Sequence, residues 1–172
     1  DNIRAVGTII KVGSTPNTIK YDTKPSFKPD NYNITERPGT LVVTATEKAV
    51  IVTAPSKSKI YDGTPINASD LSATVQMPVG YERFKAEVTL TGSITNAGKF
   101  ESIVSGVVIK NEVGEDVTDQ FSEITKINGK LIVEKRNITL TSATDSKAYD
   151  GTPLTNPTVT EQGDGWVIGE GA

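Results

Sequence analysis

Short stretches of alternating apolar and polar residues occur along the whole chain. In 84–92, Phe84, Ala86, Val88 and Leu90 alternate with polar residues. Since successive side chains of a strand point to opposite faces, this period of two predicts a half-buried strand. The segment 48–53 is apolar on both faces, which predicts a strand that is covered on both sides. Further strands are predicted at 58–61, 71–77, 99–104, 107–111, 120–126 and 131–134.

Turn signals separate these segments. Asp62-Gly63-Thr64-Pro65 follows the strand at 58–61, and Asn128-Gly129 precedes the strand at 131–134. Asp and Asn bond their own backbone and glycine accepts a positive φ, so both pairs predict turns. Seven or eight short strands in about 90 residues are typical of a sandwich or a small barrel. The stretch 66–73 is the one place where a single short helix is compatible with the pattern.

The chain also repeats itself. Residues 57–66 read Lys-Ser-Lys-Ile-Tyr-Asp-Gly-Thr-Pro-Ile and residues 145–154 read Asp-Ser-Lys-Ala-Tyr-Asp-Gly-Thr-Pro-Leu, a spacing of 88 residues. Gly39-Thr-Leu-Val-Val matches Gly129-Lys-Leu-Ile-Val at a spacing of 90, and Val12-Gly13 matches Ala97-Gly98 at a spacing of 85. Asn31-Tyr-Asn-Ile34 matches Gln120-Phe-Ser-Glu-Ile124 with one inserted residue.

These matches divide the chain into three parts. Residues 46–135 are predicted to form one complete repeat, 1–45 the C-terminal part of a preceding repeat, and 136–172 the N-terminal part of a following repeat. The join at 131–141 contains neither Gly nor Pro, so we expect the modules to be joined end to end with restricted bending. The partial repeats leave three arrangements open: disordered ends, completion of 1–45 by 136–172 of a neighbouring molecule, or a domain boundary elsewhere.

Composition agrees with a strand-rich fold. Thr, Val and Ile make up about a third of the chain, whereas Leu, which favours helices, occurs only six times. We therefore predict an all-β protein built of tandem small antiparallel β-sandwich (Ig-like) or β-grasp-like modules. No apolar run is long enough to span a membrane, and the N-terminus shows no signal peptide pattern. It also lacks an initiator Met, so we expect a piece of a longer protein.

Charge and residue usage exclude several functions. The chain has no Cys and no His, so a disulfide framework, a Cys/His zinc site, a thiol nucleophile and a Ser-His-Asp triad are excluded. A net charge of −3 without a basic cluster argues against a nucleic acid partner. We predict no catalytic, metal or cofactor site and no enzymatic activity. The absence of Cys also suits an extracellular protein, where free thiols would be oxidised.

The repeated motif resembles a known family. Val-Thr-Ala-x-x-Lys-Ser-Lys-x-Tyr-Asp-Gly-Thr-Pro, followed by Asn-Tyr-Asn-Ile and Gly-Thr-Leu-Val-Val-Thr, is similar to the tandem YDG/MBG-type repeats of large bacterial cell-surface proteins. The resemblance covers essentially the whole chain. It implies an extracellular β-rich spacer or adhesion module, secreted or attached to the cell wall, without catalytic activity. The first partial repeat departs from the pattern, because its Tyr-Asp-Gly segment lies outside the chain.

Several residue groups are candidates for more than a structural role. The Tyr61-Asp62-Gly63 and Tyr149-Asp150-Gly151 turns could display a ligand loop once per repeat, although ordinary turn chemistry is the favoured interpretation. Four carboxylates close together in sequence could bind Ca²⁺, but a solvated loop is favoured. This acidic group consists of Glu112, Glu115, Asp116 and Asp119.

Three other groups have equally simple interpretations. A Lys–Asn isopeptide cross-link would need Lys48, Lys57 or Lys59 opposite Asn128, which lies just before the last strand rather than on it. Three glycosylation sequons are expected from chance in a chain rich in Asn and Thr. They begin at Asn33, Asn67 and Asn137. The acidic residues around Trp166 could form a carboxylate pair with a sugar platform, but Trp166 is predicted to be a core residue. These are Glu161, Asp164 and Glu170.

The sequence thus favours a non-catalytic spacer of a bacterial surface adhesin, which holds a distal binding domain away from the cell. Its partners would be neighbouring repeats joined end to end, without membrane insertion. The alternative is that the repeats themselves bind a host glycan or protein through exposed loops or a sheet edge.

Overall fold

A computed structural model describes residues 2–172. These residues contain fifteen β-strands and three 3-10 helices of three residues each. The all-β prediction is therefore confirmed, and the finer assignment to tandem sandwich or β-grasp modules stays a prediction. The 3-10 helix Ala68–Asp70 lies within the stretch 66–73. No helix of the described residues is long and apolar enough to cross a membrane.

Each terminal segment forms two-stranded antiparallel sheets. Near the N-terminus, β1 (Arg4–Ala5) pairs with β3 (Ile19–Lys20), and β2 (Gly13–Asn17) pairs with β4 (Gly39–Val43). The 3-10 helix Pro29–Asn31 lies between β3 and β4. Near the C-terminus, β14 (Ile138–Ser142) pairs with β15 (Val159–Gly163). None of these strands has a second partner in the described residues.

The central segment holds nine strands in three sheets. A four-stranded sheet has the order β6-β13-β11-β9, a three-stranded sheet has the order β12-β5-β8, and β7 pairs with β10. These strands are β5 (Val50–Thr53), β6 (Lys57–Ile60), β7 (Ile66–Asn67), β8 (Thr74–Gln76), β9 (Lys85–Thr91), β10 (Ser93–Ile94), β11 (Gly98–Lys110), β12 (Ile124–Ile127) and β13 (Gly129–Glu134).

The described chain divides into two compact units. Unit 1 comprises 2–51, 75–87 and 107–125, and unit 2 comprises 52–74, 88–106 and 126–172. Each unit therefore combines one terminal segment with part of the central segment. The division passes through strands of the central segment, including β9 and β11, which contribute residues to both units.

Burial is concentrated in the central segment. Every buried apolar residue of 2–172 falls between Val50 and Val133, and Val50, Val52, Ile109 and Leu131 are completely buried. The prediction that 48–53 is covered on both faces is confirmed in part: Val50 and Val52 are buried, whereas Ile51 and Thr53 are half-buried. Residues 2–45 and 136–172 contain none of these buried apolar residues.

Two chain crossings carry strands from one sheet to the other. The chain leaves β5 through Ala54–Ser56 and enters β6, and it leaves β12 through Asn128 and enters β13. The two crossings touch: a Cβ at Gly129 would overlap the Pro55 carbonyl, so only glycine fits. No turn forms at Asn128-Gly129 as predicted: Asn128 alone separates β12 from β13, and Gly129 begins β13, which belongs to a different sheet. The pairing of β6 with β13 is parallel, whereas the antiparallel sandwich, one of the two predicted alternatives, has no parallel pair.

The sequence repeat is matched by repeated strand pairing. β2 pairs with β4 from Gly13 opposite Val43 to Asn17 opposite Gly39. β11 pairs with β13 from Gly98 opposite Val133 to Ser102 opposite Gly129. The paired residues are those that the sequence match aligns, so both copies have the same register. Matching residues therefore build matching local structure in the two segments.

Several strand boundaries differ from the predictions. The strands predicted at 99–104 and 107–111 are one strand of thirteen residues, β11, because Ser105 and Gly106 continue the extended chain. The strand predicted at 120–126 begins only at Ile124, after the 3-10 helix Thr118–Gln120. The short strands β7 and β10 were not predicted, and two residues are too few for a period to be read. The alternation in 84–92 is confirmed, with Ala86, Val88 and Leu90 on the less exposed face of β9.

Candidate functional site: the Tyr-Asp-Gly turns and the join

The Lys-x-Tyr-Asp-Gly-Thr-Pro motif folds into a hydrogen-bonded turn directly after β6. Asp62 Oδ1 accepts hydrogen bonds from the Thr64 backbone N–H at 2.9 Å and the Thr64 hydroxyl at 2.7 Å. Lys59 Nζ donates to Asp62 Oδ1 at 2.6 Å and to the Thr64 carbonyl at 2.7 Å. Gly63 has a φ of 80°, which an L side chain rarely adopts. The motif residues thus bond one another.

The second copy of the motif forms the same turn. Asp150 Oδ1 accepts from the Thr152 N–H at 3.0 Å and from the Thr152 hydroxyl at 2.8 Å. Lys147 Nζ donates to Asp150 Oδ1 at 2.9 Å, and Gly151 has a φ of 77°. This copy has few neighbours, and Tyr149 is almost completely exposed. The local motif therefore forms the turn with little support from tertiary packing.

The turns change the acidity of their aspartates. The Lys59 ammonium and the two Thr64 donors hold the pKa of Asp62 well below its usual range. Lys147 and Thr152 likewise lower the pKa of Asp150. In both turns every donor stabilises the ionised carboxylate, so the aspartates are acceptors and poor proton donors at neutral pH.

Tyr61 bonds the central turn to the next repeat. Its hydroxyl donates to Glu170 Oε1 at 2.5 Å, and this hydrogen bond, followed by partial burial, raises the pKa of Tyr61 above its usual value. The side chain is half-buried, in contrast to Tyr149. Tyr61 is covered in part because it contacts Glu170 of the following segment.

Arg136 makes the densest set of contacts in the join between 46–135 and 136–172. Its guanidinium donates from Nη1 to the Tyr61 carbonyl at 2.9 Å, from Nε to the Gly165 carbonyl at 2.6 Å, and from Nη2 to the Asp164 carbonyl. The Asp164 carboxylate accepts from the Asn137 N–H at 2.7 Å. Only the three residues 135–137 separate β13 from β14. One planar cation thus connects the central turn to the following segment.

A cation also stands at the matching position one repeat earlier, with contacts of its own. Lys48 occupies the position that matches Arg136 at a spacing of 88. Its Nζ donates to the Val79 carbonyl at 2.8 Å and lies 5.7 Å from the centre of the Tyr81 ring. Val79 belongs to a turn that has a counterpart at 167–170.

These two turns share their hydrogen bond and their glycine. The Tyr81 N–H donates to the Pro78 carbonyl, and the Glu170 N–H donates to the Val167 carbonyl. The third residue is Gly80 or Gly169, with φ of 94° and 88°, as in a type II turn. The second residue is Val79 or Ile168, which in each case is an apolar side chain exposed to solvent. Each repeat therefore presents one apolar side chain at the tip of a defined turn.

The four acidic residues of the loop at 112–119 each contact a different partner. Glu115 Oε2 lies 3.6 Å from Lys11 Nζ, Glu112 Oε1 lies 3.6 Å from Arg83 Nη1, and Asp116 accepts from Thr118. Asp119 accepts from the Gln120 amide at 2.7 Å. In residues 2–172, no three acidic side chains converge in a way that could hold a metal ion.

Two of the lysines considered for an isopeptide cross-link, and Asn128, form hydrogen bonds with other groups. Lys48 binds the Val79 carbonyl, Lys59 binds within its own turn, and Asn128 donates to Glu101 at 3.3 Å. The sequon residue Asn67 is also engaged, since its amide donates to Asp70 and its oxygen accepts from Ser93. No contact brings Asn128 to either of these lysines.

The acidic residues near Trp166 do not form a pair. Glu161 accepts from the Trp166 indole N–H at 2.8 Å, whereas Asp164 accepts from Asn137 and Glu170 accepts from Tyr61. The prediction that Trp166 is a core residue is wrong, because its side chain is 42% exposed. Each of the three carboxylates instead holds a different neighbour in the join.

Arg136 and two glycines make close contacts that the sequence analysis did not predict. A Cβ at Gly92 would meet the Glu101 carbonyl, and a Cβ at Gly7 would meet the matching Pro16 carbonyl, both on the facing strand. Two features of the sequence pointed to these positions. A basic residue precedes the matching strands β5 and β14, at 48 and 136, and Gly7 matches Gly92 at a spacing of 85. Both signals are single residues, which become meaningful only once their contacts are known.

Comparison with models of known protein families, with curated protein sequences and with solved structures found no match to this chain.

Proposed function

We propose that this chain is a non-catalytic spacer segment of a bacterial surface adhesin, in which tandem β modules hold a distal binding domain away from the cell. It would be secreted or attached to the cell wall. The proposal rests on the resemblance of the repeated motif and on the join at Arg136. A spacer needs joins that resist bending, and one guanidinium bound to three carbonyls from both sides of the join provides such resistance.

The recurrence of the parts supports the same role. The Tyr-Asp-Gly turn, the type II turn and the paired strands are each present twice with the same hydrogen bonds. The Asp62 and Asp150 carboxylates accept hydrogen bonds from residues of their own turns. A module whose polar groups stabilise its own turns adds length and stiffness to an array without requiring a ligand.

The join can be tested in solution with the 172-residue chain. Residual dipolar couplings measured for 137–170 and for unit 2 residues of the central segment should fit one alignment tensor. Arg136→Ala should give two different tensors, while Arg37→Ala, a change at an exposed arginine, should not. Independent tensors in the unmodified chain would contradict the spacer proposal, because the join would then be a free hinge.

One observation favours adhesion as a second function. Val79 and Ile168 stand exposed at the tips of equivalent turns, so an array would present one apolar contact per repeat. A glycan and protein array screened with the chain would test this role. A reproducible signal that is lost in the double variant Val79→Asp/Ile168→Asp, but kept in Val113→Asp, would favour adhesion. No signal on either array would leave the spacer role as the better account.

A further inference from the structure

In both compact units, the beginning of the repeat 46–135 runs parallel to its end. In unit 1, Thr46 forms a parallel bridge with Phe121, and in unit 2, β6 pairs in parallel with the last strand, β13. Further backbone N–H groups donate to carbonyls in the same direction: Thr46 to Gln120 at 2.9 Å, Val50 to Glu123 at 3.0 Å, Ala54 to Ile127 at 2.8 Å and Tyr61 to Glu134 at 2.8 Å. Donor and acceptor advance together along the chain, as they do in parallel strands.

Two side chains extend the pairing of β6 with β13 beyond the ladder. Before β6 begins, Ser56 Oγ accepts a hydrogen bond from the Lys130 N–H at 3.0 Å. After β6 ends, the Tyr61 carbonyl accepts from Arg136 Nη1 at 2.9 Å. Residues at both ends of this strand pair are therefore bonded to the opposite strand.

The last strand is also anchored in the core. Leu131 is completely buried and Val133 is 3% exposed, whereas Lys130 and Glu134 are exposed. Because side chains alternate between the two faces, sliding β13 by one residue would turn Lys130 and Glu134 toward the core. Sliding it by two residues would move Leu131 and Val133 out of their packed positions. Core packing therefore opposes any displacement of β13 along β6.

The direction of these strands decides how the repeat bears tension. In a tandem array, tension enters each repeat at its beginning and leaves it at its end. Since the two strands are parallel, this pull draws them in opposite directions along their own axes and loads the hydrogen bonds between them together. If the two strands were antiparallel, the same pull would separate the bonds one after another.

We propose that the parallel pair formed by 46–61 and 120–134 is the force-bearing element of the repeat, which keeps the module folded while the array is under tension. This inference deepens the proposed spacer function and rests on it, since an array that holds a distal domain carries the load on that domain. Resistance to pulling is governed by the rate of unfolding. The parallel pair can therefore give mechanical strength to a module of ordinary equilibrium stability.

Force spectroscopy of the 172-residue chain tests the parallel pair, and the absence of Cys allows pulling handles to be attached at introduced cysteines. Handles on Glu47→Cys/Lys135→Cys load the pair in shear. Handles on Lys57→Cys/Lys130→Cys, at the N-terminal ends of β6 and β13, peel the two strands apart. All four side chains are exposed. At the same loading rate, the unfolding force should be several-fold higher in shear than in peeling, and equal forces would overturn the proposal.

Two serine variants test which hydrogen bonds carry the load. Ser56→Ala removes the acceptor of the Lys130 N–H within the parallel pair. Ser105→Ala removes a hydroxyl that donates to the Thr89 carbonyl at 3.0 Å, outside the pair. In the shear geometry, Ser56→Ala should lower the unfolding force and Ser105→Ala should leave it unchanged, with urea unfolding used to establish that both variants fold. An equal loss of force in the two variants would contradict the proposal.

Failure of this proposal can be distinguished from failure of the spacer function. Independent alignment tensors on the two sides of the join would contradict the spacer function, whatever force the parallel pair withstands. A common tensor together with equal forces in shear and in peeling would contradict the force-bearing role alone.

Discussion

The Tyr61 hydroxyl donates a 2.5 Å hydrogen bond to Glu170 Oε1, which ties the Tyr-Asp-Gly turn of the central repeat to the segment that follows it. Tyr149, the same residue of the next motif, is almost completely exposed. The motif therefore has two roles that separate in this chain. Its Asp, Gly and Thr form the turn in both copies, and in the first copy its Tyr contacts the segment that follows.

The hydrogen bond between Tyr61 and Glu170 should break in alkaline solution. The hydrogen bond to Glu170 raises the pKa of Tyr61, so its stabilising effect is present below the ordinary tyrosine pKa of about 10 and is lost as the pH rises through the folded value. An absorbance titration of tyrosinate should show one of the five tyrosines ionising late. Tyr61→Phe should remove that late component. A late component that persists in Tyr61→Phe would contradict the contact.

The two turn aspartates should remain ionised into acidic solution. Their pKa values are lowered by the paired lysine and threonine donors, so their contribution to stability is present above the ordinary aspartate pKa of about 4 and is lost as the pH falls through the folded value. Carboxyl carbon shifts followed by NMR during an acid titration would report each residue. Lys59→Met should raise the pKa of Asp62 alone, and Lys147→Met that of Asp150 alone. If neither pKa moves, the lysines are not the cause of the shift.

Gly129 and its counterpart Gly39 should respond differently to the same substitution. A Cβ at Gly129 would overlap the Pro55 carbonyl, whereas a Cβ at Gly39 has no heavy atom within 4 Å. Gly129→Ala should therefore destabilise the fold by about 1–3 kcal/mol or more, because backbone at the crossing must shift. Gly39→Ala should be close to neutral in a dilute chain. Equal effects in chemical denaturation would show that the crossing does not have this close contact.

Core truncation should likewise be position-dependent. Leu131 is completely buried, so Leu131→Ala should cost about 2–5 kcal/mol of unfolding free energy. Leu140→Ala removes the same atoms from a side chain that is mostly exposed, so the cost in a dilute chain should be well below 1 kcal/mol. Urea unfolding monitored by circular dichroism would compare the two. A large cost for Leu140→Ala under dilute conditions would mean that the C-terminal segment already has a closed core.

Much of the local structure could be predicted from the sequence because it depends on neighbouring residues. The alternation in 84–92 predicted β9, and Asp62-Gly63 predicted a turn whose bonds all lie within six residues of chain. The single strand β11 was predicted as two, because Ser105 and Gly106 resemble a break locally. Pairing with β9 keeps that segment extended, and the Ser105 hydroxyl donates to the Thr89 carbonyl of β9 at 3.0 Å.

The repeat, the all-β character and the chemistry of the Tyr-Asp-Gly turn were determined by the sequence itself, since they follow from residue types at short range. The tertiary structure alone decided which sheet each strand joins, why glycine is needed at 129, and that Arg136 connects the central turn to the following segment. These features depend on atoms that are far apart in the chain: Arg136 meets Tyr61 across 75 residues. A partner at such a distance is selected by the path of the backbone, which no local pattern encodes.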